Sequence, residues 1–335
     1  MLTIINSIPE GLLERQATEL YKLLPGPTLM HLQGKREPPL FVSVLMHGNE
    51  DTGWCAIREL LRQYQDKPLP RSLSVLIGNV EAARYGQRFL DHQPDYNRIW
   101  NISHASGEPP EYAMVRQVVD EMKKRQVFAS VDIHNNTGIN PHYACVNKLD
   151  NAFLHLATLF SRTVVYFTTP HTVQSIAFAK LCPSVTVECG QPGQAHGPQH
   201  ALEYIDACLH LSGIPTHPVA SHDMDLFHTV AIAKVPEHIS FGFGEGQGDV
   251  HFMEDLDHLN FRELPINTLL AKVNGLQTLP LDVRDEGNND VGKRYFVVEG
   301  GQLRTRIPFM PSMLTVNAKA IRQDCLCYLM ERYQD

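Results

Sequence analysis

Short apolar runs and amphipathic stretches alternate through the first part of the chain. Leu40–Met46 (LFVSVLM) has the length and β-branched character of a strand. Thr52–Tyr64 follows as a helix with Ile57, Leu60 and Leu61 on one face. After the punctuation of Pro68 and Pro70, Ser72–Asn79 predicts the next strand. Glu111–Arg125 predicts a helix, because Val115, Val118, Val119 and Met122 recur at i, i+3, i+4 and i+7. Further strands are predicted at Phe128–His134, His142–Val146, Val164–Thr168 and Ser184–Cys189. Helices are predicted at Asn151–Ser161, Thr172–Leu181 and Gln199–Ser212, the last closed by Gly213. Residues 1–30 read as a short strand and an amphipathic helix stopped at Pro25-Gly26-Pro27, and Arg84–Asn101, polar and without a period, as a long loop.

This alternation predicts an α/β domain over residues 1–215, with a mixed, mostly parallel sheet and helices on both faces. The segment from Gly213 to Pro218 predicts a boundary. Beyond it strand-like runs dominate, at Thr229–Val235, Ile239–Phe243, Tyr295–Glu299 and Leu314–Ala318. Residues 216–335 therefore read as a smaller β-rich domain, expected to cover part of the site. Phe241–Gly248 has glycines at alternate positions, but no Lys follows and no helical pattern begins, so it reads as a turn-rich loop and not a phosphate loop.

Composition narrows the function classes. With 335 residues, 43% of them hydrophobic, the chain has ample material for a core. A formal charge of −8 argues against a nucleic-acid partner, which needs a basic face. The seven cysteines are odd in number and scattered, and Cys325 and Cys327 do not form a C-x-x-C pair, so reduced thiols and a cytoplasmic location are expected. The N-terminal residues lack a basic region followed by an apolar core, and no apolar run reaches membrane-spanning length. The expected partner is a small molecule or short peptide, and a homo-oligomer is compatible with the sequence.

The chemistry-bearing residues gather at strand ends. Leu40–Met46 runs into His47 and Glu50, which converge on one point if the chain turns there. Ser72–Asn79 ends in Asn79 and feeds a loop with Arg84, Arg88 and Arg98; Phe128–Ile133 ends in Asp132-Ile133-His134; Ser184–Val187 ends in Glu188. In open α/β sheets ligands bind at the carboxyl ends of strands, so parallel strands would bring all four groups to one edge. Each residue also has a plainer reading. His134, one of 17 histidines, suits a strand cap; Glu188 suits an ordinary strand end; Arg88 and Arg98 suit the surface. Asp132 shares a strand face with His134 and either orients it or satisfies backbone donors.

As a set, His47-Gly48-Asn49-Glu50, Asn79-x-x-Ala82 with Gly86-x-Arg88, Asn97-Arg98, Asp132-x-His134 and Val187-Glu188-x-Gly190 resemble the succinylglutamate desuccinylase/aspartoacylase family, a branch of the zinc carboxypeptidase fold. The resemblance covers residues 40–200. It implies one zinc ion per chain on His47, Glu50 and His134, with Glu188 as general base and Arg88 on the scissile carbonyl oxygen. It implies that Asn97 and Arg98 grip the substrate carboxylate, for which a guanidinium fork is suited. Where aspartoacylases carry an Arg for a second carboxylate this chain has Gln174, which argues against N-acetylaspartate and marks Gln174 as a specificity position. A second metal on Asp91, His92, Asp95 or His142 is not expected, because their spacing fits no ligand pattern and hydrogen bonds that order the loop explain them. The implied function is zinc-dependent hydrolysis of an amide bond adjacent to a free carboxylate, with an N-acyl amino acid as the leading substrate. A metallocarboxypeptidase acting on short peptides is the alternative within that chemistry, and a catalytically inactive metal- or ligand-binding module the alternative outside it.

Overall fold

The computed structural model describes residues 1–101, 109–246, 248–276 and 278–333, so Gln247 of the glycine-rich loop lies outside the described residues. The chain divides into two units, residues 1–135 with 142–225, and residues 136–141 with 226–335.

In the first unit the elements run β1 (Thr3–Ile5), β2 (Thr28–Leu32), β3 (Leu40–Val44), α1 (Thr52–Gln63), β4 (Leu73–Ile77), α2 (Val80–Arg84), α3 (Pro110–Lys124), β5 (Ala129–His134), β6 (Tyr143–Val146), α4 (Asn151–Thr158), β7 (Thr163–Tyr166), α5 (Gln174–Phe178), β8 (Ser184–Glu188) and α6 (His196–His210). The strands lie in the order β1-β2-β4-β3-β5-β8-β6-β7. Neighbours are parallel except β2–β4 and β8–β6, which is the mixed, mostly parallel sheet the alternation predicts. The central strands β4, β3, β5 and β8 are adjacent and mutually parallel, so their carboxyl ends share one edge.

Both faces are covered, which is why β3, β4, β5 and β8 are buried at every position, polar residues such as Ser43, Asp132 and Thr186 included. On one face Met114, Val115, Val118 and Met122 of α3 pack with Phe41, Leu76 and Phe178 in one cluster, and Phe41 stacks on Phe178 at 4.4 Å. Burying each such side chain contributes about 1.5–3 kcal/mol. On the other face α1 packs with α6, and a Cβ on Gly53 would lie 2.8 Å from a Val44 methyl, so glycine there lets α1 settle on β3. The carboxyl end of α6 is held by cations. Arg36 donates to the His210 carbonyl at 2.9 Å, and buried Arg71 donates to those of Leu211 at 2.8 Å and Pro38 at 2.7 Å.

One N-terminal expectation needs correction, and one strand escaped the sequence reading. The helix expected within residues 1–30 is a short 3₁₀ helix at Ala17–Lys22, and Thr28–Leu32, just past Pro25-Gly26-Pro27, is a strand. That strand lies between β1 and β4, and this pairing decides its state where a five-residue period could not.

The second unit contains β9 (Asp225–Lys234), β10 (Phe241–Phe243), β11 (Val250–Phe252), β12 (Leu269–Val273), β13 (Asp282–Asp285), α7 (Gly292–Tyr295), β14 (Phe296–Glu299), β15 (Gln302–Thr305), β16 (Met310–Ser312), α8 (Ala318–Gln323) and β17 (Cys327–Arg332). β13, β9, β17 and β16 pair antiparallel in that order, and β10-β11-β12-β15-β14 form a second group. Val283, Leu329, Phe252, Leu303 and Phe309 meet in one core. The strand expected at Leu314–Ala318 is absent. Met313 takes a φ of 65°, and Asn317 caps α8 by accepting from the Ala320 N–H, so capping chemistry overrides the apolar run.

Candidate metal centre

The turn carrying His47 is built by the backbone. β3 ends at Val44, and Leu45, fully buried, takes a left-handed φ of 57°. For a residue with a Cβ this costs about 1–3 kcal/mol and is sustained by its surroundings. Gly78 N–H donates to the Val44 carbonyl at 2.9 Å and Asn79 N–H to that of Leu45 at 2.6 Å, tying the turn to the end of β4. A Cβ on Gly48 would lie 2.2 Å from the Ala83 nitrogen, so only glycine lets the turn pass α2. Gly48 N–H donates to the Arg88 carbonyl at 3.0 Å, which anchors the arginine loop to the same turn.

On this frame His47, Glu50 and His134 converge, 2%, 4% and 4% exposed. His47 Nδ1 lies 2.7 Å from Glu50 Oε1, and His134 Nδ1 lies 2.8 Å from Glu50 Oε2. Their outer nitrogens are held by other carboxylates: His47 Nε2 by Asp95 Oδ1 at 3.0 Å and His134 Nε2 by Asp132 Oδ2 at 2.9 Å. Asp132 in turn accepts from the Ser43 hydroxyl at 2.7 Å. Asp132 therefore orients His134, the first of the two roles its place on the strand face allowed. Among the described residues this is the one group that brings three such ligand atoms within 4.8 Å of one another.

The donor set fits a divalent cation. Two imidazole nitrogens and a carboxylate face one point, and each ring donates its outer N–H to a carboxylate, the support ligating histidines require. The electrostatics agree. Burial pushes Glu50 up, but the imidazoles of His47 and His134 outweigh it and hold the carboxyl well below its usual range. Burial disfavours charge on His134, yet Asp132 and Glu50 raise it well above the ordinary imidazole value. Burial and Arg88 likewise oppose charge on His47, and Glu50 and Asp95 override them. The surplus of negative charge calls for positive charge between the Nδ1 atoms and Glu50, supplied by protons or by a metal ion.

The remaining predicted residues fall around this cluster. Glu188 ends β8 in register with His134, buried. Arg88 Nη1 lies 3.7 Å from Glu50 Oε1 and its Nη2 3.4 Å from Asp95 Oδ2. Asn97 Nδ2 lies 3.4 Å from His134 Nε2, and Arg98 donates to the Asn97 carbonyl at 3.1 Å. Gln174 is fully buried at the start of α5; its N–H donates to Asn97 Oδ1 at 3.4 Å and its Nε2 to the Ser130 hydroxyl at 2.8 Å. Asp95 orders the loop, as expected, by accepting from the Asn97 N–H at 2.8 Å, but its bond to His47 was not anticipated. Asp91 and His92 stay exposed. Asn135 and Ser43 were also missed, since no spacing marks a residue whose partners come from other strands.

A second gathering of histidines lies in the same unit. His142 Nδ1 hydrogen-bonds His200 Nδ1, while His200 Nε2 donates to the Phe160 carbonyl at 2.9 Å. The His142 ring stacks against His200 at 4.8 Å and His196 at 5.1 Å, and Phe160 stacks on His200 at 4.3 Å. Burial, with the neighbouring His200 and His196, pushes His142 down to about 4.

Comparison with known proteins agrees with the fold. Residues 37–203 match the profile described as succinylglutamate desuccinylase/aspartoacylase catalytic domain. No curated protein matches the sequence. Among solved structures, the chain is similar to a succinylglutamate desuccinylase from Chromobacterium violaceum, at 17% identity and a TM-score of 0.58 over 93% of this chain and 90% of that one. It is similar to a succinylglutamate desuccinylase/aspartoacylase from Rhodobacter sphaeroides, at 12% identity and a TM-score of 0.59 over 91% and 89%. Murine aminoacylase 3 is similar at 17% identity and a TM-score of 0.57 over 89% and 97%. At such identities these likenesses speak for the fold. The matched profile carries the rest: through residues 37–203 the chain belongs to the succinylglutamate desuccinylase/aspartoacylase family.

Proposed function

We propose that the protein is a zinc-dependent deacylase that hydrolyses the amide bond of an N-acyl amino acid with a free carboxylate. The observation that carries the reading is the convergence of two Nδ1 atoms on one carboxylate, with a further carboxylate on each outer nitrogen. His47, Glu50 and His134 would hold the ion. When bound, zinc supplies a Lewis acid that polarises a carbonyl and acidifies water. Glu188 takes the proton of the attacking water on its carboxylate and hands it to the leaving nitrogen. Its register beside His134 supports that role. Arg88 directs its guanidinium at the oxygen on which negative charge develops, a contribution of about 3–4 kcal/mol for a well-placed donor. Asn97 and Arg98 take the substrate carboxylate, and Gln174 backs Asn97 from behind.

The test is hydrolysis by the zinc-loaded chain of N-acyl amino acids and short peptides side by side, all with free carboxylates. Turnover of the N-acyl amino acids alone is expected. Cleavage of peptides instead would replace the deacylase with a carboxypeptidase, and silence across the panel with zinc bound would remove the hydrolytic reading.

A further inference from the structure

We propose that the Asn135 side chain is a positioning group that fixes the turn after Glu188 against the ligand cluster. The proposal rests on the deacylase reading above. The β5–β8 ladder ends where Cys189 N–H donates to the His134 carbonyl at 2.9 Å. The next rung is made by a side chain, Asn135 Nδ2 donating to the Gly190 carbonyl at 2.9 Å. The other end of the same amide, Oδ1, accepts from the Thr52 N–H at 3.3 Å, in the first turn of α1. The backbone N–H of Asn135 donates to Glu50 Oε2 at 3.1 Å. One buried residue therefore touches a ligand carboxylate, the helix behind it and the turn that follows the proposed base.

Gly190 is seated on its other side as well. It takes a φ of +72°, and a Cβ there would lie 3.0 Å from Gln194 Oε1 and 3.2 Å from His142 Nε2. Gly190 is held at its carbonyl by Asn135 and closed at its α-carbon by Gln194 and His142, so the carbonyl bond is the restraint that a change at Asn135 releases. An amide suits the position because it offers one donor and one acceptor at opposite corners. A carboxylate would set oxygen against the Gly190 carbonyl. Alanine would leave both Gly190 O and Thr52 N–H without this partner. Neither change touches the backbone bond to Glu50, so the side chain serves the base and the main chain serves the ligands.

The experiment uses Asn135→Ala and the near-isosteric Asn135→Asp in the full chain, each alone and combined with Glu188→Gln. Zinc affinity is read by competition with a chromophoric chelator, kinetics on the best substrate of the panel, and amide hydrogen exchange over residues 188–194. Zinc affinity is expected to stay near that of the parent, short of the roughly 10–100-fold loss that follows removal of a ligand's own partner. The kcat is expected to fall about 10–100-fold with KM little changed, as displacement of a reacting group produces. Exchange over 188–194 should quicken while that over 47–52 holds. No further loss is expected in the Glu188→Gln background, because the group being positioned is already gone. Full kcat in Asn135→Ala, an equal loss with and without Glu188, or zinc affinity falling in step with kcat would each overturn the proposal. Equal turnover by the parent and Glu188→Gln would instead sink the role of Glu188. If no substrate turns over, exchange decides: unaltered exchange over 188–194 in both variants removes the positioning role.

Discussion

Two of the places where histidines gather in the first unit differ in company. At the edge formed by β3 and β5, every ring nitrogen of His47 and His134 faces a carboxylate, and both imidazoles are raised above their ordinary value. In the His142–His196–His200 group the neighbours are other imidazoles, a phenyl ring and a backbone carbonyl. His200 donates through Nε2 to the Phe160 carbonyl, and its Nδ1 meets Nδ1 of His142. These neighbours carry no negative charge, and burial with the adjacent imidazoles pushes His142 down to about 4. Burial alone does not decide what a histidine does. The charge set around it determines whether it attracts a positive ion or excludes one.

The sharpest way to test the contrast is at the acid beside the first group. Glu188→Gln should lower turnover by about 10²–10⁴-fold, the range for loss of a general base, with zinc content unchanged. Unaltered turnover would take Glu188 out of the mechanism. Next come the carboxylates that distinguish the two groups. Asp132→Asn or Asp95→Asn should each weaken zinc binding by roughly 10–100-fold, measured by chelator competition; parent-like affinity in both would mean the outer carboxylates do not tune the rings. His200→Ala should leave zinc affinity intact. It removes the partner of the Phe160 carbonyl and of His142 Nδ1, and should lower stability to urea by about 1–3 kcal/mol. A fall in zinc affinity would show that the second group is not independent of the first.

The smallest effect is a pH slope. His142 is depressed from 6.5 to about 4 in the folded chain. The unfolded chain takes up this proton as pH drops below 6.5, whereas the folded chain does so only near 4. Its contribution is therefore present above 6.5 and lost as pH falls from 6.5 towards about 4. His31, buried against Ser74 and also lowered to about 4, acts in the same direction. His142→Phe should flatten, without abolishing, the decline of the urea midpoint between about pH 7 and about pH 5. An undiminished decline would assign the slope to other groups.

Much of this was legible before any coordinates. The central strands β3, β4, β5 and β8 announce themselves as short runs carrying β-branched and other apolar residues, and His47, Glu50, His134 and Glu188 stand at their ends. The short strands β11, β12, β13, β15, β16 and β17 were not legible. Each is only three to six residues long, and their pairing with partners elsewhere in the second unit decides their state. Asp95 was read as a loop-ordering residue and does order the loop, but its bond to His47 spans 48 positions, a separation no local pattern encodes.

The sequence by itself determined the alternation of strand and helix, the placement of ligand-type residues at strand ends, and the family motifs, because periodicity and residue chemistry are local. Tertiary structure alone decided that β4, β3, β5 and β8 lie side by side and parallel, which turns separate strand ends into one edge. It also decided which carboxylate meets which imidazole nitrogen, and that Asn135 reaches Glu50, Thr52 and Gly190 together. Those contacts depend on strand order and register, which the chain fixes only by burying its whole core at once.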